Sequence, residues 1–258
     1  MVHMTHTALM APTRSRRKRR HCRRIHRCLG VRSTALQMDK NSTSCVTRAE
    51  SNIALPGVPQ KEMMITMSHF FAVLARMKFI QRWGLMRNTQ PENVQEHSLQ
   101  TAIIAHGLAV IGNRYYGAAH DPERVMALAV FHEVSEIITG DLPSPIKHRD
   151  PALHSAYSRL EDAARERVHL MLPAELQVDY RALLFGDDSA SHMALVKAAD
   201  KLGAYLKCLE ELKGGNTEFA LARDSIERDI NAIDLPEVQH FVEHFVPSFS
   251  LTLDELNR

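Results

Sequence analysis

The stretch AVFHEVSEIITGDLP, residues 129–143, places His132, Glu133, Glu136 and Asp141 within ten positions. It begins like the zinc-protease motif H-E-x-x-H, in which two histidines one helical turn apart share a face and a metal. Position 136 is Glu, so the second imidazole is missing and protease chemistry is set aside. On a helix, His132 and Glu136 still share a face by their i, i+4 spacing, with Glu133 about 100° round from His132. The run reads as part of a carboxylate-rich metal site whose remaining ligands lie elsewhere in the chain.

The flanking sequence is helical in pattern. Asp121 can cap, and Pro122 takes the first position of, a helix expected to run to about Thr139, with Gly140 suited to the left-handed C-terminal position. Upstream, SHFFAVLARMKFIQRW (68–83) opens on a Ser68 cap and puts Phe70, Leu74, Met77 and Ile80 near one face. NVQEHSLQTAIIAHGLAVIG (93–112) is a second helix with Gly112 near its end. Further helices are expected near 151–171, 174–185, 190–213, 216–232 and 236–245, the GGN at 214–216 breaking the long one. No segment joins alternation to β-branched enrichment, so no sheet is expected. Residues 63–258 are therefore expected to form one all-α domain.

Composition bounds the class. The chain has 258 residues, 45% hydrophobic and 24% charged, the balance of a soluble globular protein, and no apolar run approaches the roughly 18 residues of a membrane span. The net charge of +2 conceals an asymmetry: residues 1–60 hold 12 of the 32 Lys and Arg and 2 of the 30 Asp and Glu, so this arm is near +10 and the remainder near −8. An acidic body does not suit a polynucleotide partner, and a nucleic-acid reading of the overall pI would average two unlike parts. Cys22, Cys28 and Cys45 lie in the arm and only Cys208 in the body, so no disulfide framework holds the body and a reducing, cytoplasmic compartment is expected.

Residues 1–62, with TRSRRKRRHCRRIHRC (13–28) at their centre, lack hydrophobic periodicity and are expected to be a disordered Arg-rich extension. They fit an upstream start, with Met63, Met64 or Met67 as the true beginning, better than a targeting peptide or a nucleic-acid or membrane-surface arm. HCRRIHRC (21–28) has two Cys and two His, but in no standard zinc-finger spacing and among cations.

Two more residues stand out on apolar helices: His97 in PENVQEHSLQTAII (91–104) and Asp200 in ALVKAADKLGAYL (194–206). Singly, a buried His is most often hydrogen-bonded in the core, and such an Asp most often pairs with a lysine, here Lys197 or Lys201. The order His97, His132-Glu133, Asp200 on three helices favours a shared metal. That order resembles the signature of the HD-domain phosphohydrolases. SHFFAVLARMKFIQRWGLMRN (68–88), ENVQEHSLQ (92–100), HEVSEIITGDLPSPIK (132–147), VKAADKLGAYLKCLEEL (196–212) and FVPSFSLTLDE (245–255) together resemble the bacterial 5′-deoxynucleotidase branch, from about Met67 to the C-terminus.

The resemblance implies an all-α HD-domain bundle that removes phosphate from deoxyribonucleoside 5′-monophosphates, works as a homodimer and uses cobalt, manganese or copper. It implies a metal held by His97, His132, Glu133 and Asp200, a phosphate-orienting Arg82, a sugar-lining Trp83 that disfavours a 2′-hydroxyl, and a catalytic carboxylate at Glu136. Asp141, Leu142, Pro143 and Ser144 match the substrate-contacting turn, with His132 and Asp200 also at the substrate. The chain departs from the pattern at Glu133, where the family has Asp. Glu remains a hard oxygen ligand, but its extra methylene moves the carboxylate by on the order of 1.5 Å. A catalytically weak nucleotide-binding HD protein, an HD phosphohydrolase with another nucleotide substrate, and a nucleic-acid-binding protein using the 14–32 stretch are the alternatives.

Overall fold

The computed structural model describes residues 67–258 apart from 148 and 187; the expectations for the Arg-rich extension fall outside this range. The described residues are helical throughout, with no strand among them and a single isolated bridge between Gln81 and Asn93. The all-α expectation holds, with two changes that both bear on the site.

The first change is at the N-terminal end. Helix α1 spans Phe70–Leu74 and tightens into a 3-10 turn over Ala75–Phe79, so the helix expected over 68–83 stops early. From Ile80 the chain is extended, because the Val94 N–H donates to the Ile80 carbonyl (3.0 Å) and the Arg82 N–H to the Glu92 carbonyl (2.9 Å). These bonds fasten the 80–82 segment to the start of α2, Val94–Tyr115. That start carries a capping box: Asn93 accepts from the backbone of Gln95 and Glu96, and Glu96 reaches back to the Asn93 N–H. The helix runs past Gly112, where a Cβ would lie 3.3 Å from the His120 ring, so the glycine admits the chain's return.

The second change breaks the helix expected to reach Thr139. Helix α3, Pro122–Phe131, is capped by Asp121 and ends at His132. Residues 132–135 form a turn with i→i−3 bonds, including Val134 to Phe131 (3.1 Å) and Glu136 to Glu133 (3.0 Å), before the single turn α4, Glu136–Thr139. Tertiary packing overrides the helical pattern here. Fully buried Val134 joins Phe70, Val168, Leu172 and Leu184 in a small second core, and the tightened turn lets it reach them.

Helices α5 (Ser144–Lys147), α6 (Pro151–His169), α7 (Ala174–Phe185), α8 (Ala190–Lys213), α9 (Ala220–Asn231), α10 (Pro236–His244) and α11 (Leu253–Leu256) complete the chain. As expected, the GGN run ends α8. The main core lies where α2 packs against α3 and α8. Ala102, Ala105 and Ala109 on α2 face a core that includes Ala129, Ala198 and Ala199, and these small side chains let the three backbones approach closely. Leu128, Leu195, Leu202 and Leu206 fill the rest, burying about 1.5–3 kcal/mol of apolar contact each.

A buried ion pair fixes the approach to the site. Lys207 and Glu211 pair on α8, and Glu211 also accepts from the Thr89 hydroxyl (2.6 Å), the Gln90 N–H (3.0 Å) and the Asn216 amide (2.8 Å). Burial opposes the Glu211 charge, but Lys207, Thr89 and the other donors outweigh it and hold its pKa far below the carboxylate range. A depressed carboxylate contributes stability above its unfolded pKa and loses it as pH falls. Glu211→Gln is expected to lower stability at pH 7 by about 1–3 kcal/mol and to flatten the loss of stability below about pH 4, as read by urea unfolding across pH.

Candidate metal centre and active site

Four side chains from three directions meet: His97 from α2, His132 and Glu133 from the turn after α3, and Asp200 from α8. One ligand atom of each lies within 4.8 Å of the others. His97 Nε2 is 2.9 Å from Asp200 Oδ1, and His132 Nε2 is 3.5 Å from Glu133 Oε1 and 3.9 Å from Asp200 Oδ1. Ligands about 2.1 Å from one ion stand roughly 3.0 Å apart at right angles and 3.4 Å at tetrahedral angles, close to these separations.

The protonation logic of His132 also points to a cation. Its Nδ1 donates to the Ala129 carbonyl at 2.6 Å, which assigns the proton to Nδ1 and leaves the Nε2 lone pair pointing into the cluster. That Nε2 is buried without a hydrogen-bond partner and faces two carboxylates. A lone pair opposed to carboxylate oxygens is repulsive unless a proton or metal ion sits between them. Burial opposes a charge on His132, yet Glu133 and Asp200 outweigh it and raise its pKa; burial likewise works against Asp200, which His132 and His97 hold well below its usual value. Two imidazoles and two carboxylates suit a divalent cation, so the residues present fit the expected group.

Beside this cluster, Glu136 is buried, and its pKa is pushed up to about 10, first by burial and then by Glu133 and Asp141, with a hydrogen bond to Glu133 adding to the effect. It therefore holds a proton at neutral pH. Asp141 is raised by burial, against the pull of Arg82, and accepts from the Trp83 backbone N–H. Arg82 stays cationic: burial opposes its charge, but Asp200, Glu133 and Glu92 outweigh it.

Trp83 is the one non-glycine among the described residues with positive φ, at 59°. This left-handed conformation costs on the order of 1–3 kcal/mol. It persists because the Trp83 carbonyl accepts from the Met86 N–H (2.9 Å) and the Asn88 amide (3.3 Å), while the indole packs on Phe219 at 5.3 Å.

Arg82, Trp83, Glu133, Glu136, Asp141, Leu142, Pro143, Ser144 and Asp200 line one cavity of about 1020 Å³, with His97 and His132 reaching the metal cluster from behind it. The expected site residues are thus brought together. His132 and Glu136 are joined by the 132–135 turn, not by the shared helix face that their spacing suggested. Asp200 pairs with the imidazoles, whereas Lys201 pairs with Asp229 at 2.7 Å. The sequence reading missed Glu92, which binds both Arg82 and Trp83, and the lysines Lys197 and Lys201 on the cavity wall. The signal for Glu92 was an acidic residue just before the Asn93 cap, a position more often solvated.

The family described as 5′-deoxynucleotidase YfbR-like matches residues 69–249. The chain belongs to this family. The chain is similar to the 5′-deoxynucleotidases of Shewanella oneidensis, 50% identical over 74% of this chain and 99% of that protein, and of Yersinia pestis, 51% identical over 74% and 98%. The fold is that of an HD-domain phosphohydrolase from Listeria innocua, with TM-score 0.63 and 23% identity over 70% of this chain and 88% of that one. A Pyrococcus horikoshii protein shares it at TM-score 0.55 and 21% identity, covering 70% and 97%.

For this YfbR-like chain, His132→Ala is expected to abolish stoichiometric divalent-metal binding while the helical content is kept, as read by metal analysis and circular dichroism. Chelation of the parent is expected to lower its melting temperature, since a ligand at 100 times its Kd adds about 2.7 kcal/mol.

Proposed function

We propose that this chain hydrolyses deoxyribonucleoside 5′-monophosphates to deoxyribonucleoside and phosphate, in a metal-dependent reaction. It is a phosphoric monoester hydrolase of the 5′-deoxynucleotidase family. The observation that carries the reading is one cavity in which a cation cradle, a guanidinium and a buried carboxyl group stand side by side.

His97, His132, Glu133 and Asp200 would hold the metal, which supplies charge neutralisation at the phosphoryl group and acidifies the attacking water. Arg82 offers planar donors to phosphate oxygens and orients the group for in-line attack. As the water oxygen bonds to phosphorus and the P–O5′ bond breaks, the Glu136 proton passes to O5′, and the nucleoside leaves as an alcohol. The water's proton then restores Glu136. Asp141 to Ser144 and Trp83 form the wall for the sugar, where the indole face disfavours a 2′-hydroxyl. Cobalt, manganese or copper suits the mixed nitrogen and oxygen ligands.

A cytoplasmic location fits the buried free thiol of Cys208, the one cysteine among the described residues, and no helix among them is long and apolar enough to cross a membrane. Pairing as a homodimer accords with the exposed apolar stripe of Leu99 and Ile103 on α2, each more than 60% exposed. Glu133 favours a second reading, nucleotide binding with weak turnover. Its added methylene shifts a carboxylate that both joins the metal cluster and stands beside Glu136, and a misplacement near 1 Å can cost about 10²-fold in rate.

Phosphate release from deoxyadenosine 5′-monophosphate, absent with the 3′-monophosphate or a chelator and much weaker with adenosine 5′-monophosphate, is the expected result. No release by metal-loaded protein that still binds the deoxynucleotide would turn the assignment to the second reading. Glu136→Gln is expected to lower kcat by about 10²–10⁴-fold and remove the alkaline limb of the rate profile, with metal content unchanged. Glu133→Asp is expected to change kcat at equal metal occupancy.

A further inference from the structure

Glu92 makes a contact that the catalytic reading does not use. One of its oxygens, Oε2, accepts from Arg82 Nε and from the Trp83 indole Nε1, each at 3.1 Å. Its backbone carbonyl accepts from the Arg82 N–H at 2.9 Å. The side chain is 11% exposed, does not line the cavity and belongs to no metal cluster. Neighbouring side chains on an extended segment point to opposite sides. The positive φ of Trp83 breaks that rule, so the guanidinium and the indole share one oxygen.

We propose that Glu92 is the positioning residue that locks Arg82 and Trp83 in a fixed mutual geometry, so that the preference for deoxyribose depends on a carboxylate outside the cavity. The proposal rests on the reading of Arg82 as the phosphate contact and Trp83 as the sugar wall. The charge of Glu92 commits the Arg82 Nε edge. The terminal nitrogens of Arg82 are thereby turned toward the metal cluster, where Arg82 Nη1 lies 3.9 Å from Glu133. The same oxygen fixes the tilt of the indole, which also packs on Phe219 with ring centroids 5.3 Å apart. If either donor is released, phosphate register and sugar selection move together, because both are set from one atom. A glutamine at this position keeps the shape and one acceptor oxygen but loses the charge that holds the two donors.

Trp83 is the only tryptophan in the chain, so its emission and its single indole N–H signal report on this contact without reference to activity. The experiment compares the metal-loaded parent with Glu92→Gln and Glu92→Asp. It measures kcat and KM for the 5′-monophosphates of deoxyadenosine and adenosine, metal content, Trp83 emission and hydrogen exchange of the indole N–H. In the parent, the indole N–H is expected to exchange slowly. Glu92→Gln is expected to lower kcat/KM for the deoxynucleotide about 10–100-fold, mostly through KM, to narrow the deoxy-to-ribo ratio about 10-fold, to shift the emission to the red and to leave metal content unchanged. Glu92→Asp, which keeps the charge, is expected to recover part of both the ratio and the emission.

A deoxy-to-ribo ratio and an emission unmoved in Glu92→Gln would overturn the proposal. So would a freely exchanging indole N–H in the parent, a result that stands even if the Gln variant does not fold. A parent without sugar preference would sink the assigned role of Trp83, whereas the emission and exchange results would still decide whether Glu92 holds the two side chains.

Discussion

The site depends on electrostatic frustration among His97, His132, Glu133 and Asp200. Three segments, α2, the turn after α3 and α8, carry these groups into contact, and the buried Nε2 of His132, which has no hydrogen-bond partner, faces carboxylate oxygens. Such an arrangement is favourable only around a proton or a cation, which is why the cluster suits a divalent metal. The close packing of α2, α3 and α8 through alanines makes the arrangement possible. Larger residues at Ala102, Ala105 or Ala198 would push the ligand-bearing backbones apart by more than a coordination bond tolerates.

A second layer of constraint surrounds the first. The Lys207–Glu211 pair anchors the Thr89 and Gln90 backbone, the two 80–94 backbone bonds anchor Arg82, and the capping box fixes the start of α2. Together they turn the 80–93 connection, an irregular segment, into a rigid arm that can hold Trp83 in a strained conformation. Irregular backbone at a site is stable only when it is over-determined in this way. The carboxylates then divide their work by environment: Asp200 keeps its charge between two imidazoles, whereas Glu136, buried beside Glu133 and Asp141, keeps its proton. One cavity thus offers both a ligand and an acid from the same functional group.

Legibility from the sequence followed the range of the interactions concerned. Helices α2, α6, α7 and α8 were readable because their helical pattern and breaks such as the GGN at 214–216 are local. The grouping of His97, His132, Glu133 and Asp200 was readable because a charged or imidazole side chain on an apolar helix is conspicuous. The end of α3 was not readable, since the residues after His132 remain good helix formers and only the burial of Val134 against Phe70 and Val168 tightens the turn. Glu92 was not readable either. Nothing local distinguishes it from a solvated acid before a cap, and its two donors reach it only after the chain folds back at Ile80.

By itself the sequence determined an all-α body, the family to which it belongs and the set of groups that meet in one cluster, because these follow from helical pattern, motif order and residue chemistry along the chain. Only the tertiary structure decided which nitrogen of His132 faces the cluster, that Glu136 keeps its proton, and that Arg82 and Trp83 share one carboxylate oxygen. Those properties arise from desolvation and contacts between segments as far apart as positions 97 and 200, and no stretch of chain specifies them before the helices pack.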